Sequence, residues 1–311
     1  MSRAPFPIQP ELTAITLAYR NTRFIADSVL PRVPVGTQEF KYLTHAAADG
    51  RTIPNTLVGR KGKVNEVEFS ATETTSATKD YGLEDAIPQA DIDNAPPNYN
   101  PVGVATELLS DLILLDRESR VATAAFNTSN YTSSYKATLS GTTQWSHASS
   151  DPVNAILTAL DVPMIRPNKM VMGRAVWTKV RQHAKVVAAV FAAGGNAASG
   201  GMVSPRAFAD LFELDEVLIG ESFYNSAKPG QTATMARVWG KSALLFYSNP
   251  NATPRMGVTF GLTAQFGTRI AGSRPDPDIG LRGGTRVRVG EGVKELITCA
   301  DAAYLFDAAV A

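Results

Sequence analysis

The chain has 311 residues, of which 44% are hydrophobic, enough to bury a sizeable core in one large domain or two intimate ones. Thirty basic residues against 29 acidic ones give a formal charge of +1, which argues against a general nucleic-acid binder with its strong basic excess. The single cysteine, Cys299, excludes an internal disulfide framework and a multi-cysteine zinc site, and fits folding in a reducing cytosol. The first ten residues carry three prolines and lack the apolar run of a secretory signal. No stretch approaches the roughly 18 apolar residues of a membrane helix, so a soluble protein without membrane contact is expected.

Residues 1–36 read as an arm. Prolines at 5, 7, 10, 31 and 34 bracket one helical stretch, 11–27, whose Leu12, Ile15 and Tyr19 cannot form a core alone. Residues 37–79 read as a long two-stranded excursion. Its strands are 38–45 and 64–78, the second with Val67, Phe69, Ala71 and Ala77 on one face and Glu66, Glu68, Ser70, Thr72 and Thr74 on the other. At about 3.3 Å per residue that second strand would run on the order of 40 Å. Such a Thr-rich hairpin cannot bury itself. Its link, 46–62, holds Gly50, Pro54, Gly59 and Gly62 and reads as a flexible tip.

Residues 80–100 carry Pro88, Pro96 and Pro97 among acids and are expected to be loop. The strongest helix signal follows at 101–127. Asn100 is a good N-cap, Pro101 takes the favoured first position, and Ala105, Leu108, Leu109, Leu112, Leu115, Ala122 and Phe126 recur near helical spacing. From 163 the pattern becomes α/β, with short apolar strands at 169–172, 216–219 and 238–247 and helices between them. The last quarter is mostly β, with strands at 257–265, 285–289, 293–298 and 302–306, and a Gly-, Pro- and Arg-rich segment at 268–284.

No catalytic or metal-binding constellation emerges. Gly240-Lys241-Ser242 resembles the end of a phosphate-binding loop, but Met235 stands where the first glycine belongs and the tripeptide lies in a strand pattern. Gly290-Glu291-Gly292 lacks the third glycine of a dinucleotide fingerprint, since Glu295 occupies it, and reads as a turn between strands. His45, His147 and His183 are scattered over unrelated segments. Asp276 and Asp278 read as turn formers, because Gly280 stands where a calcium loop needs a third oxygen ligand.

Charge distribution is more informative. Residues 50–65 hold Arg51, Arg60, Lys61 and Lys63 and no acid, a formal +4. Residues 80–116 hold Asp80, Glu84, Asp85, Asp91, Asp93, Glu107, Asp111 and Asp116 and no base, a formal −8. Two solvated faces would explain both runs, but a basic cluster at the tip of a projecting hairpin favours complementary patches that meet between subunits. A third candidate contact is the segment with Arg269, Arg274, Arg282, Arg286 and Arg288, which outnumber Asp276 and Asp278.

The second half carries a series of short motifs. The residues are Met170-Val171-Met172-Gly173, Trp177 and His183, then Glu216-Val217-Leu218-Ile219-Gly220, Tyr224-Asn225-Ser226-Ala227, and Val238-Trp239-Gly240-Lys241 leading to Leu244-Leu245-Phe246-Tyr247. With the order of elements, this resembles the Hong Kong 97-like major capsid proteins of tailed phages. The resemblance implies an α+β capsid fold: an arm at 1–36, an extended loop and linker at 37–90, a peripheral domain at 91–162 and 255–311 with a spine helix at 101–127, and an axial domain at 163–254. It implies no cofactor and no catalysis, but hexamers and pentamers tiling an icosahedral shell around double-stranded DNA, contacted non-specifically. Assembly in a bacterial cytoplasm, into virions, with scaffolding and portal proteins and in some members decoration proteins, would follow. The chain starts directly at the arm, so a separate scaffold or prior processing is expected. Val67, Phe69 and the basic tip would then lie on Asp80, Glu84 and Asp85 of a neighbour. Two alternatives are a nanocompartment shell of the encapsulin type, distinguished by enzyme cargo instead of DNA, and a soluble α/β enzyme built around Trp177 and Trp239, distinguished by a stable monomer with a substrate.

Overall fold

The computed structural model describes residues 6–44, 53–66, 72–192, 201–228 and 230–311. The arm holds α1 (Pro10–Ala18), α2 (Ala26–Val29) and β1 (Arg32–Val35), and the excursion holds β2 (Glu39–Thr44) and β3 (Thr72–Ala77). Then come β4 (Lys79–Pro88), α3 (Gln89–Asp93), the spine α4 (Pro101–Ala125), β5 (Lys136–Thr138) and α5 (Pro152–Asp161). The α/β stretch runs β6 (Lys169–Gly173), α6 (Arg174–Val180), α7 (Ala184–Ala192), α8 (Pro205–Leu211), β7 (Glu216–Gly220), β8 (Phe223–Asn225), β9 (Met235–Arg237) and β10 (Ala243–Phe246). A long hairpin of β11 (Gly261–Asp276) and β12 (Gly284–Ile297) and a final strand, β13 (Ala303–Asp307), complete the chain.

The spine binds two separate sheets. Its N-terminal half lays Ala105, Leu109 and Ile113 on Val287, Val289 and Ala271 of a four-stranded sheet ordered β1-β11-β12-β4. Its C-terminal half lays Val121, Ala122 and Ala125 on Leu244, Phe246 and Val171, one face of a five-stranded sheet ordered β5-β13-β10-β6-β7. The opposite face of that sheet is covered by α5, α6, α7 and α8 around Trp145, Trp177, Phe208 and Phe212. All four residues of β10 are therefore buried, as a central strand covered on both faces requires. The five-stranded sheet draws β5 and β13 from segments that the sequence groups with the flanking peripheral residues, and α5 packs on the same core. At about 1.5 Å per residue the 25-residue spine is a rod of roughly 38 Å.

Two glycines in the capsid-like wording have steric reasons. A Cβ on Gly220 would stand 2.1 Å from the Trp239 ring, and one on Gly173 would stand 2.2 Å from the Gly240 carbonyl oxygen. Trp239 can thus enter the layer between spine and sheet only because its neighbours have no side chains.

Four expectations are corrected. The single arm helix is broken after Ala18: the Ile25 and Ala26 N–H groups donate to Glu118 of the spine instead of to a helical ladder, and the side chains of Tyr19 and Asn21 tie the intervening segment to Asp111. The second excursion strand spans only Thr72–Ala77 among the described residues, and 64–66 are not in a strand. Val67 and Phe69, with Arg51, lie outside the described residues. The supposed loop after residue 80 begins with the ten-residue strand β4, paired antiparallel to β12. Only Ile87 of β4 is fully buried, so no alternation marks the strand; pairing and the stacking of Arg120 on Tyr81 at 3.6 Å hold it. Gly290-Glu291-Gly292 is no turn: it runs through the middle of β12, with Gly290 opposite Ile270 and Gly82. Gly290 fits because adjacent backbones press close there, where a Cβ would sit 3.1 Å from the Tyr81 carbonyl.

The spine starts where the sequence places it. Asn100 Oδ1 accepts from the Val102 and Gly103 N–H groups at 3.1 and 3.2 Å. Replacing Asn100 with alanine should lower the unfolding free energy by about 1 kcal/mol, the usual worth of such a cap. A urea titration of the isolated subunit checks this; an unchanged midpoint would mean the cap is not used.

Candidate assembly surfaces

The residues singled out for chemistry serve structure. Cys299 is buried, and His183 is buried against Ser150 Oγ at 3.2 Å. His45 lies outside the described residues, and His147 contacts Ser149 Oγ at 2.7 Å. Lys241 follows a turn at Gly240, whose φ of 48° places it in the left-handed region. Asp276 Oδ1 accepts the Asp278 N–H at 3.0 Å, a side-chain-closed turn at the tip of the β11–β12 hairpin. Among the described residues, no group of three or more His, Cys, Asp or Glu side chains is placed to hold a metal ion.

The most densely connected polar site is a buried ionic cluster that sequence reasoning missed. Two acids, Asp27 and Glu291, pair with three bases, Arg32, Arg117 and Arg269, and a third acid, Glu118, is hydrogen-bonded beside them. Arg117 bonds Asp27 at 2.5 Å, the Leu30 carbonyl at 3.2 Å and Thr263 Oγ1 at 3.0 Å. Arg32 bridges Asp27 at 2.9 Å and Glu291 at 2.8 Å. Glu118 accepts from the Ile25 and Ala26 N–H groups and from Trp239 Nε1, at 3.1, 2.8 and 2.5 Å. One carboxylate thereby ties the arm, the spine and the α/β stretch together. The signal was present: Ile113 and Leu114 place 117 and 118, four residues on, on the same inward face.

The acids of the cluster are pushed in opposite directions. Burial drives the Glu291 carboxyl up, but Arg32 and Arg269 outweigh it and hold it below the ordinary range. Asp27 behaves likewise beside Arg117 and Arg32, with a smaller effect on stability because its side chain is 60% exposed. Glu118 has no direct cation; burial raises it, and its hydrogen bonds with Trp239, Ile25 and Ala26 only partly offset that.

The surface candidates divide. At the loop tip, Gly62 N–H bonds the Gly59 carbonyl at 2.8 Å, setting Arg60 and Lys61 at the apex of a turn. Both are exposed, and neither has an ion-pair partner among the described residues. Lys63 pairs within its own loop, with Glu66 at 2.7 Å. On β4, Asp80 and Asp85 have no ion-pair partner among the described residues, but Glu84 is held by Arg288 of the same subunit at 2.6 Å. The arginine segment is corrected at one position: Arg269 is buried and donates to the Thr16 carbonyl at 2.7 Å and towards Glu291 at 3.5 Å, so it is unavailable to a neighbour. Arg286 pairs with Asp276 inside its own hairpin, Arg274 is half-buried, and Arg282 remains exposed beside the fully exposed Leu281 at the tip.

The pH dependence of the cluster follows from these directions. A carboxyl raised in the folded state adds stability below its unfolded value and loses it as pH rises through the folded one. A lowered carboxyl, as in Glu291, adds stability above its unfolded value and loses it as pH falls through the folded one. Glu118→Gln removes only the first effect. The melting temperature of the parent relative to this variant should therefore be more favourable near pH 4.5 than near pH 8, by thermal melts of both proteins. A difference that moves the other way would contradict the burial of an ionised Glu118.

Residues 113–277 match the family model described as phage major capsid protein E. The chain is 55% identical over all 311 residues, covering 100% of both chains, to the major capsid protein of Pseudomonas phage JBD67. Among solved structures, a phage-related protein from Bordetella bronchiseptica aligns with a TM-score of 0.76 at 21% identity, covering 98% of this chain and 99% of the other. The capsid of cyanophage P-SCSP1u aligns with a TM-score of 0.58 at 12% identity, covering 93% and 89%. The spine lying across two sheets, the projecting excursion and these likenesses lead to one conclusion: the chain belongs to the phage major capsid proteins of the Hong Kong 97-like fold, structural subunits of the icosahedral virion shell and not enzymes.

Proposed function

We propose that the subunit locks to its neighbours by laying residues 53–66, between β2 and β3, on strand β4 of the next copy. The observation that carries this is the tip's composition. Ile53, Leu57 and Val64 are 92, 82 and 70% exposed, beside Arg60 and Lys61. Exposed apolar side chains clustered with cations gain by burial only against another chain. They extend from a two-stranded sheet, β2–β3, in which no residue is fully buried, so folding back offers no core. Asp80, exposed at the start of a neighbour's β4 and without an ion-pair partner among the described residues, supplies opposite charge.

In this reading residues 1–36 act as the arm, 37–90 as extended loop and linker, 91–162 and 255–311 as the peripheral domain, and 163–254 as the axial domain of hexamers and pentamers, with β5, α5 and β13 of the flanking segments completing the axial sheet and its core. Arg282 and Leu281 at the β11–β12 tip serve contacts between capsomers. Scaffolding, portal and decoration proteins, and non-specific contact with packaged DNA, complete the set of partners.

Each exposed ion pair is worth only about 0–1 kcal/mol, but the contact repeats at every subunit. Arg60→Glu with Lys61→Glu should weaken assembly strongly, and adding Lys63→Glu should add little, because Lys63 already has Glu66. The parent itself should assemble less well near 1 M salt, where the Debye length is about 3 Å. Light scattering of assembly, with circular dichroism to confirm folding, provides the test. A double variant that assembles like the parent at low salt would refute this role for the loop.

A further inference from the structure

The spine carries a second apolar face that its own subunit does not use. Leu108 and Leu112 are 62 and 53% exposed, and Val104 and Leu115 are half-buried. Their spacings of four, four and three residues align them along one side of α4, away from the residues that meet the sheets. From Val104 to Leu115 the stripe runs roughly 17 Å. Tyr99, 50% exposed, stands at its N-terminal end. There a groove of about 460 Å³ opens between Tyr99, Val104 and Leu108 on one side and Asp85, Pro88 and Asp91 on the other.

The charge around this face has one sign. Asp85 and Asp91 line the groove, and Glu107 is exposed beside Leu108; none of the three has an ion-pair partner among the described residues. Between residues 99 and 116 there is no basic side chain. The first, Arg117, is turned inward to the ionic cluster, and Arg120 is held by Asp116 and Glu295.

We propose that this stripe and groove form a docking site for an amphipathic, cationic helix of a different protein. Such a helix would set apolar residues at i, i+4 and i+8 on Leu108 and Leu112 and aim Lys or Arg at Asp85, Asp91 and Glu107. Shape and charge decide against two occupants from the same chain. A second copy's stripe would bring the same unpaired acids face to face. A second copy's loop tip has the right charge, but it closes in a tight turn at Gly59–Gly62 and cannot match three straight helical turns.

The single native thiol, Cys299, is buried, so Leu112→Cys adds one exposed thiol whose alkylation reports what covers the stripe. The probe is a synthetic peptide of about five helical turns with leucines at i, i+4 spacing and lysines on the flanks. At ten times its dissociation constant it should slow alkylation about tenfold, in free subunits and in assembled shells alike. Asp85→Asn with Asp91→Asn and Glu107→Gln should weaken that binding by about tenfold, the equivalent of 1.4 kcal/mol. A peptide of the same composition in scrambled order should give no protection. Equal protection by the scrambled peptide, or none by either, would overturn the proposal. So would a thiol already protected in shells without peptide, which would assign the stripe to a second copy.

Discussion

The ionic cluster around Arg117 and Glu118 is the constraint on which the subunit's architecture rests. The arm alone has too little apolar surface to fold, and its helices are nine and four residues long. What fixes it is a set of directed bonds: two backbone N–H groups on Glu118, the Leu30 carbonyl on Arg117, the Thr16 carbonyl on Arg269 and the Arg32 guanidinium on Glu291. Because Trp239 shares Glu118, the same carboxylate sets how the α/β stretch sits on the spine. Removing one member of a buried pair costs about 3–5 kcal/mol, because its partner is left desolvated and uncompensated. A geometry held this way is specific: an apolar patch tolerates sliding, whereas a carboxylate with three donors does not.

This division of charge suits a subunit that must be rigid within and adhesive without. The inner charges balance three against three and find their partners within the subunit. The outer ones do not: Arg60 and Lys61 at the loop tip, Asp85 and Asp91 by the groove, and Glu107 on the spine have no ion-pair partner among the described residues. The same holds for apolar surface. The spine's inner face is consumed by two sheets, while Leu108, Leu112 and the loop residues Ile53 and Leu57 stay outside. A shell protein needs this surplus, because its final burial takes place between chains.

Much of this was legible in the sequence where local chemistry decides. Asn100-Pro101 marks the start of the spine, the stretch 38–45 contains β2, and Asp276 marks a turn. What was illegible was decided by distant partners. The strand β4 has one buried residue in ten and exists because β12 lies beside it. Gly290-Glu291-Gly292 looks like a turn, yet its glycines admit close backbones and its glutamate is a buried member of the cluster. Arg269 looks like a surface arginine until the Thr16 carbonyl and Glu291 come within reach. Leu108 and Leu112 fit the helical stripe as well as Leu109 does, but it is Leu109 and Ile113 that face the sheet. For a helix this rich in leucine, periodicity says that one face is buried and leaves open which.

Native-state hydrogen exchange tests most directly whether the cluster welds arm, spine and α/β stretch into one cooperative unit. The account predicts that the Ile25 and Ala26 amides and the Trp239 indole N–H exchange with the same opening free energy as the spine amide of Val121, since all four open only when the cluster breaks. Fast exchange at Ile25 and Ala26 while Val121 stays protected would show the arm detaching by itself, and would contradict it.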